Sequence, residues 1–256
     1  MPRPSASRHL PLGLAIIYED RDILVVNKPA GLLTMGTDTE KERTAYFILT
    51  DYVRKGAVKS KNRIFIVHRL DRDTTGVVVF AKTEEAKRFL QDHWEDTRKE
   101  YLAIVHGRCK EQSGTINSSL VENKALKMYS TNDTSKGKAA STSYLVLKET
   151  ADLSLLLITP HTGRKNQIRV HLADLGHPII GDKKYGLAKD GHKKMALHAE
   201  SLTFTHPHRK DQRTFTAPLP GWFHRLIGPI TSAEDRRTPL KSSNPQPDKH
   251  PPKANM

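Results

Sequence analysis

A carboxylate stands among cationic and hydroxyl side chains in the nine-residue stretch His68–Gly76, which reads HRLDRDTTG. Short apolar runs flank this stretch, Ile64–Val67 before it and Val77–Ala81 after it. Continuous apolar runs of this length predict buried strands. A loop held between two core strands presents its side chains at defined angles, so Asp71 is a candidate catalytic carboxylate. A solvated turn would account for the Asp, Thr and Gly residues of the stretch but not for the whole string.

The charge of the chain predicts a polyanionic partner. The 256 residues carry a formal net charge of +14, and residues 232–256 contribute five Lys or Arg and three Asp or Glu, which leaves +12 on residues 1–231. A basic folded body is typical of proteins that bind phosphate backbones, although a basic surface that only confers solubility has the same composition. A membrane partner is not expected, because no segment combines apolar length with a basic face. No run approaches the roughly 18 apolar residues of a spanning helix.

The cysteine and histidine content disfavours a metal or disulfide scaffold. Cys109 is the only cysteine, so neither an internal disulfide nor a cysteine zinc site can form, and this usage is typical of a reducing compartment such as the cytoplasm. His206 and His208 stand beside Arg209 and Lys210, whose charges would repel a divalent cation. We therefore expect no catalytic metal.

Helical periodicity occurs in three places. Apolar residues recur at helical spacing within residues 45–53, and again within 86–94 after Thr83, a favourable N-cap residue. A third helix is predicted over 164–175, with Ile168, Leu172 and Leu175 on one face and Gly176 as the C′ residue.

Strand patterns dominate the remainder and set the predicted fold class. Strands are predicted at Tyr101–His106, Tyr144–Leu147 and Leu153–Thr159, and no βαβ repeat is sustained. The expected fold is α+β, with a mixed, mainly antiparallel central sheet and flanking helices and loops. Two polar segments, 34–43 and 123–143, are predicted to be flexible loops. The second is rich in Lys, which fits a solvated insertion and an RNA-contacting arm equally well.

The predicted domain organisation is one catalytic domain with two tails. Residues 1–13 are expected to be a flexible N-terminal segment, residues 14–231 the catalytic domain, and residues 232–256 a disordered tail rich in Pro, Ser and Lys. The apolar stretch 10–17 contains Pro11 and Gly13, so it is interpreted as the lead-in to the first strand and not as a signal segment.

The Asp71 stretch resembles the active-site motif of the RluA family of RNA pseudouridine synthases, His-Arg-Leu-Asp-x-x-Thr-Ser-Gly. Thr75 stands where the family has Ser and keeps the hydroxyl group. Residues Tyr18–Gly31 are similar to the family's opening strand and Lys-Pro-x-Gly turn, and Lys99–Tyr101 is similar to its Lys-x-Tyr element.

The resemblance continues in the second half of the chain. Gly163–His171 resembles the family sequence Gly-Arg-x-His-Gln-Ile-Arg-Val-His, and Gly176–Asp182 follows at the corresponding place. Asn166 replaces the family's His. An amide can donate and accept hydrogen bonds but cannot carry charge, so a titrating role at this position is in doubt. The match extends over about residues 14 to 230.

The resemblance implies isomerisation of uridine to pseudouridine in structured RNA, with three catalytic residues and no cofactor. Asp71 would be the essential carboxylate, either as a nucleophile or as a base at the sugar C2′. Tyr101 would stack against the uracil and help remove the C5 proton, where the alternative is a tyrosine of the core. Arg169 would pair with Asp71, because a nearby cation favours an ionised carboxylate and fixes its orientation. The alternative for Arg169 is a solvated helix face.

Other residues are implied as substrate or RNA contacts, and Arg69 could either fill the gap left by the flipped base or brace the loop. These residues are Arg69, His68, Thr75, Lys28, Arg164, Gln167 and Ile168. The expected partner is ribosomal or transfer RNA, and the protein is expected to be a cytoplasmic monomer. Because the first strand starts near residue 14, an N-terminal S4 domain is not expected. Neither the RNA nor the uridine can be identified from the sequence.

Two other classes of function remain open at this point. A noncatalytic RNA-binding protein would need only the basic charge and the long loop, and would leave Asp71 without a task. A hydrolase of glycosidic bonds would need paired carboxylates such as Asp71 and Asp73. Hydrolysis removes a base from RNA, whereas isomerisation leaves the mass of the RNA unchanged.

Overall fold

The computed structural model describes residues 8–55, 57, 59–131, 133 and 135–230. Within these residues the strands are β1 Arg8–His9, β2 Ala15–Glu19, β3 Ile23–Lys28, β4 Phe65–Ile66, β5 Thr75–Ala81, β6 Arg98–His106, β7 Ser113–Glu122, β8 Met128–Thr131, β9 Lys138–Glu149, β10 Leu153–Pro160, β11 Leu197–Thr205 and β12 Gln212–Thr216. The helices are α1 Ala45–Arg54, α2 Glu84–Asp92, α3 Gln167–Asp174 and α4 Trp222–Ile227, with a 3-10 turn at Pro11–Gly13.

All of these strands belong to one sheet, in the order β1-β2-β3-β5-β11-β6-β10-β9-β7-β8, with β12 paired to β11 and β4 paired to β5. The β5–β11 pair is parallel, and the other described pairs are antiparallel. The predicted α+β fold with a mixed, mainly antiparallel sheet is therefore confirmed.

The side-chain alternation of β3 and β5 builds a core on each face of the sheet. Their even-numbered residues pack against α1, whereas their odd-numbered residues pack against α2. Successive side chains of a strand point to opposite faces, so two neighbouring strands that are apolar throughout must be covered on both sides. All seven residues of β5 are buried, which makes β5 a rigid support for the loop that precedes it.

The first two predicted helices are confirmed, as is the predicted N-cap Thr83 of the second. The Thr44 hydroxyl accepts a hydrogen bond from the Phe47 N–H at the start of α1, and the Thr83 hydroxyl accepts one from the Ala86 N–H at the start of α2. Each bond satisfies an N–H that the helix itself leaves unpaired.

The third helix begins three residues later than predicted, at Gln167, because Asn166 has a left-handed backbone conformation with φ 52°. Its end agrees with the prediction, since Gly176 follows the helix with φ +85°, the conformation that favours glycine at C′. Leu175 is 38% exposed, so its assignment to the buried helix face was wrong.

The predicted flexible loop over residues 123–143 is wrong for most of its length. Strand β8 pairs with β7, and β9 starts at Lys138 and also pairs with β7. The segment shows no clear hydrophobic period because few of its side chains are apolar and buried. Met128 and Ala140 pack with Leu120 and Val170, and backbone hydrogen bonds pair the strands. A short turn remains at 123–127, where the Asn123 side chain accepts hydrogen bonds from the N–H groups of Ala125 and Lys127.

The chain ends agree only in part with the predicted domain limits. The sheet already starts at Arg8–His9, which pairs with β2, so the part of the predicted flexible segment that is described has regular structure. Residues 1–7 and the predicted tail 232–256 lie outside the described residues. No helix in the described part of the chain is long and apolar enough to cross a membrane.

Three strands meet closely where the Asp71 stretch enters the sheet. Ala199 of β11 is paired with Gly76 of β5 on one side and with Tyr101 of β6 on the other. Gly76 has φ +114°, and a Cβ atom there would lie 2.1 Å from the carbonyl oxygen of Ala199. Glycine at position 76 therefore allows the parallel pairing that brings the start of β5 into one row with Tyr101.

Replacing Gly76 with alanine should destabilise the protein by about 3 kcal/mol or more, because both the positive φ and the backbone contact disfavour a side chain. The free energy of unfolding, measured by denaturant titration, checks this. Gly221→Ala is the matched control, since Gly221 has φ −57° and nothing within 4 Å of its Cβ position. The control should change stability by no more than about 1 kcal/mol. Equal stability of the two variants would contradict the close approach at Gly76.

Candidate active site

The Asp71 loop, residues 68–74, is held mainly by the segment 28–34. The Thr34 hydroxyl, which is buried, donates to the Leu70 carbonyl at 3.0 Å and accepts from the Leu70 N–H at 3.2 Å. The Gly31 N–H donates to the Arg72 carbonyl at 3.0 Å. The backbone on both sides of Asp71 is therefore fixed by hydrogen bonds, which limits the positions that the carboxylate can reach.

Lys28 braces this loop from within the protein, and its predicted role in RNA binding is not supported. Its side chain is fully buried, and Nζ donates to the carbonyl oxygens of Pro29, Leu32 and Arg72 at 3.0, 2.8 and 2.9 Å. Burial lowers the pKa of Lys28 to about 7, while the carboxylates of Asp73 and Asp71 act in the opposite direction. An ammonium group with three internal acceptors has no donor left for a phosphate.

His68 and Thr75 also face the interior instead of RNA. The Nε2 atom of His68 accepts a hydrogen bond from the Val79 N–H at 3.1 Å, and its ring lies 4.5 Å from the Trp94 ring. Burial and the charge of Lys99 lower the pKa of His68 to about 3, which agrees with an unprotonated Nε2. The Thr75 hydroxyl bonds the Nδ1 atom of the buried His198 at 2.8 Å. Both residues hold strands in place.

Arg169 joins two carboxylates that are far apart in the sequence. Its Nη1 atom donates to Oδ2 of Asp71 at 2.8 Å, while Nε and Nη2 donate to the two oxygens of Asp182 at 2.7 and 2.8 Å. The predicted proximity of Arg169 and Asp71 is thereby confirmed. The planar guanidinium can serve both carboxylates at once because its donors point in fixed, different directions.

The charges in this group stabilise one another. Asp182 is only 1% exposed. Burial by itself would raise the pKa of Asp182, but the Arg169 guanidinium and the N–H groups of Lys184 and Tyr185 outweigh it and hold this pKa below its usual value. Burial likewise disfavours a charged guanidinium, and yet Asp182 and Asp71 raise the pKa of Arg169. Arg169 is thus a permanent cation at the Asp71 carboxylate.

Three further residues of the site had no assigned role in the sequence. Asn166 donates from Nδ2 to Oδ2 of Asp71 at 2.6 Å, Asp182 anchors Arg169, and the Tyr185 ring lies 5.0 Å from the Arg169 guanidinium. A signal existed for Asn166 and Asp182, since both stand within motifs that resemble the family's. Tyr185 carried no such signal.

Asp71 borders a pocket whose walls come from several elements of the fold. Its lining residues are Arg69, Leu70, Asp71, Thr74, Lys99, Tyr101, Pro160, Thr162, Gly163, Arg164, Asn166, Gln167, Ile168, Arg169 and Leu197. Tyr101 therefore borders the same pocket as Asp71, as predicted. Burial and the charge of Asp71 raise the pKa of the Tyr101 phenol, so its hydroxyl keeps its proton at neutral pH. A flat aromatic wall facing a carboxylate suits a planar heterocyclic base.

The other predicted pocket residues differ in what they offer to a ligand. The Gln167 side chain is buried and bonds Thr162, the Arg164 N–H and two groups of β9, so it supports the wall. Ile168 supplies a buried apolar surface. Arg164 is exposed, and its Nε donates to the Ala139 carbonyl at 3.1 Å, which leaves its terminal nitrogens available.

Cations line a second cleft, which also borders Asp71. This cleft includes Arg69, Arg72, Lys165 and Lys184, all of which are exposed. Burial and the positive charges of Lys165 and Arg169 lower the pKa of Lys184, which reflects the crowding of cations here. Such a cleft attracts phosphate groups on either side of a bound base.

Neither paired carboxylates nor a metal cluster is found in the pocket as described. Asp73 is exposed and is not among the residues that line the pocket with Asp71. No group of three or more His, Cys, Asp or Glu among the described residues is placed to hold a metal ion. The ionisable side chains that line the pocket are therefore one carboxylate, one tyrosine and four cations.

Comparison with known proteins links this geometry to one family. Residues 22–174 match the model of a family described as RNA pseudouridylate synthase. The chain is 36% identical over 217 residues to the dual-specificity RNA pseudouridine synthase RluA of Escherichia coli, covering 80% of this chain and 93% of that protein. It is 37% identical over 193 residues to ribosomal large subunit pseudouridine synthase D of Borreliella burgdorferi, covering 73% of this chain and 59% of that protein.

A solved structure has the same fold. Human RNA pseudouridylate synthase domain containing 4 aligns with a TM-score of 0.68 and 27% sequence identity, covering 82% of this chain and 92% of that chain. The structural alignment therefore covers most of the chain and not only the residues of the pocket.

Replacing Lys28 with methionine should lower the free energy of unfolding by about 2–4 kcal/mol, because three carbonyl groups that are at least partly buried lose their shared donor. Denaturant titration measures this loss. Lys148→Met is the control, since the Lys148 ammonium is exposed and donates to one carbonyl, that of Pro229. The control should cost less than about 1 kcal/mol. If Lys28→Met were as stable as the control, Lys28 would not brace the loop.

Proposed function

We propose that Asp71 is the catalytic carboxylate of this chain, which belongs to the family of RNA pseudouridylate synthases. The protein is thus an isomerase that acts on uridine in RNA. The observation that carries the assignment to Asp71 is its position at the pocket, with Oδ2 bound by Arg169 at 2.8 Å and by Asn166 at 2.6 Å.

The reaction rearranges bonds within one nucleotide. The N1–C1′ bond of uridine breaks, the uracil turns within the pocket, a C5–C1′ bond forms, and the proton on C5 is transferred so that N1 ends protonated. Atoms and electrons balance without an oxidant, a reductant or another substrate. The enzyme must hold the detached base and supply a carboxylate close to the sugar.

Asp71 would act on the sugar in one of two ways. As a nucleophile its carboxylate would attack C1′, and as a base it would remove the proton from C2′. Both routes need an ionised carboxylate at a defined angle. Arg169 donates a charged hydrogen bond to the carboxylate at 2.8 Å, and the hydrogen bonds of the Asp71 loop hold the backbone. The same supporting contacts therefore serve either route.

Tyr101 and Ile168 would enclose the uracil after the glycosidic bond breaks. The aromatic ring offers a stacking surface, and the buried Ile168 offers an apolar one. The protonated Tyr101 hydroxyl lies in the negative field of Asp71. Its oxygen would take the C5 proton while its own proton passes to solvent, and solvent would return a proton to N1. Stacking and proton transfer are separable roles for this residue.

The substrate is proposed to be a structured ribosomal or transfer RNA. One relative is named as a dual-specificity enzyme and another as an enzyme of the large ribosomal subunit. The cationic cleft of Arg69, Arg72, Lys165 and Lys184 would hold the flanking phosphates while the target base leaves its stack. Arg69 borders both clefts, which fits a side chain that fills the space left by the flipped base.

Asp71→Asn should lower the rate of pseudouridine formation by about 10³-fold or more, because an amide keeps the shape but not the charge of the carboxylate. RNA affinity should remain within about threefold, since the phosphate-binding cations are retained. Pseudouridine mapping of cellular RNA, in cells that lack the protein and in cells that carry the parent or the variant, would identify the uridine and test the residue together. Restoration of the lost site by Asp71→Asn would rule out this carboxylate.

Tyr101→Phe separates stacking from proton transfer. If the hydroxyl takes part in removing the C5 proton, kcat should fall by about 10–100-fold with little change in KM, and RNA deuterated at C5 should show a larger isotope effect than with the parent. Tyr129→Phe, at a tyrosine that is 46% exposed, is the control and should behave like the parent. Parent-like values of both kcat and KM would leave Tyr101 with a stacking role alone, because phenylalanine keeps the ring.

A further inference from the structure

The hydrogen bonds to Asp71 are unequally shared between its two oxygens. Asn166 Nδ2 and Arg169 Nη1 both donate to Oδ2, at 2.6 and 2.8 Å. No donor to Oδ1 is recorded among the residues that the structure describes. A carboxylate oxygen that already accepts two charge-assisted or short hydrogen bonds is less basic and less free to move than its neighbour.

The direction of the Asn166 amide is set by a chain of hydrogen bonds. The Met128 N–H donates to the Tyr185 hydroxyl at 3.0 Å, and this hydroxyl donates to Asn166 Oδ1 at 3.2 Å. A backbone N–H can only donate, so the hydroxyl oxygen accepts from Met128 and directs its own proton to Asn166. The opposite end of the amide, Nδ2, must then face the Asp71 carboxylate.

Tyr185 is held by the same residue that holds Arg169. Oδ1 of Asp182 accepts hydrogen bonds from the N–H groups of Tyr185 and Lys184 at 3.0 and 2.8 Å, and it also accepts from Arg169. The turn closes tightly after Tyr185, where a Cβ atom on Gly186 would lie 2.2 Å from the Asp182 carbonyl oxygen. The buried carboxylate of Asp182 thus holds Arg169 directly and Asn166 through Tyr185.

The backbone of Asn166 frees its side chain for this contact. Asn166 occupies the N-cap position of α3 but makes no side-chain capping bond, and its φ is 52°. Asn tolerates the left-handed region better than most residues. The Gln167 side chain accepts from the Arg164 N–H instead, which pairs a backbone group near the helix start and leaves the Asn166 amide to Asp71.

We propose that Asn166, oriented by Tyr185, is a positioning residue that acts with Arg169 to fix Asp71 so that Oδ1 is the oxygen that reacts. This inference rests on the proposed catalytic role of Asp71. Arg169 supplies the charge, whereas Asn166 supplies a donor that does not titrate. Two donors in different directions define the plane of the carboxylate, and a single one would leave it free to rotate.

Asn166→Asp provides a test through the pH dependence of the rate. Two carboxylates at this separation share a proton over an extended pH range, because both cannot be ionised at low cost. The shared proton imitates the Asn166 N–H, so activity should be kept at low pH and lost as the pH rises through the pKa of that proton. We expect kcat within about tenfold of the parent at pH 6 and about 100-fold or more below it at pH 9.

The matched variants complete the experiment, each measured as a ratio to the parent at every pH. Asn166→Ala should lower kcat by about 10–100-fold at all pH values, and Tyr185→Phe, which keeps the ring on Arg169, by about 3–10-fold, with KM for RNA unchanged. Asn117→Asp, an exposed change of the same kind on β7, should follow the parent. All variants should unfold at parent-like denaturant concentrations.

Different results overturn different claims. An Asn166→Asp variant whose rate ratio to the parent is constant from pH 6 to 9, or an Asn166→Ala variant with a parent-like kcat, would reject the positioning role. A Tyr185→Phe variant with parent-like kcat would reject the orienting role of Tyr185. Asp71→Asn is measured in the same series. If that variant keeps the parent rate, the proposed function fails at Asp71, which is a result separate from the behaviour of position 166.

Discussion

The guanidinium of Arg169 holds together two carboxylates that the chain places on different elements. Asp182 is almost inaccessible to water, so its charge has to be paired, and it takes two of the Arg169 donors. The remaining terminal nitrogen then points to Asp71. A lysine could not serve both partners in fixed directions. Arg169 neutralises the buried charge of Asp182 and, in the same position, orients the Asp71 carboxylate.

A second buried basic side chain, that of Lys28, binds the backbone instead of another side chain. Lys28 donates to carbonyl groups of its own turn and of Arg72, and in this way joins the end of β3 to the Asp71 loop. Thr34 makes the corresponding link on the other side, at Leu70. Arg169 therefore orients the carboxylate while Lys28 and Thr34 locate the chain that carries it, and the two kinds of constraint are independent of one another.

The spacing of strands in the sheet sets the distance between the Asp71 loop and Tyr101. Gly76, Ala199 and Tyr101 lie in one row across β5, β11 and β6, and strands within a sheet are separated by roughly 5 Å per step. The loop that leads into β5 is therefore about two strand spacings from Tyr101, close enough for both to border one pocket. Because helices cover both faces of β5 and its neighbour β3, this spacing can change little without opening the core.

Local patterns in the sequence determined the apolar strands around Asp71, the capped helices α1 and α2, and the motifs that link Asp71, Tyr101 and Arg169 to one family. These features depend on residues that are close together in the sequence. The periodicity of apolar side chains and the residue types that cap helices can be recognised there. Only the tertiary structure decided that Lys28 is buried, that Tyr185 orients Asn166, and that residues 128–131 and 138–149 form paired strands. The partner of a buried charge, or of an unpaired backbone group, lies wherever the folded chain brings it, and spacing along the sequence does not encode that position.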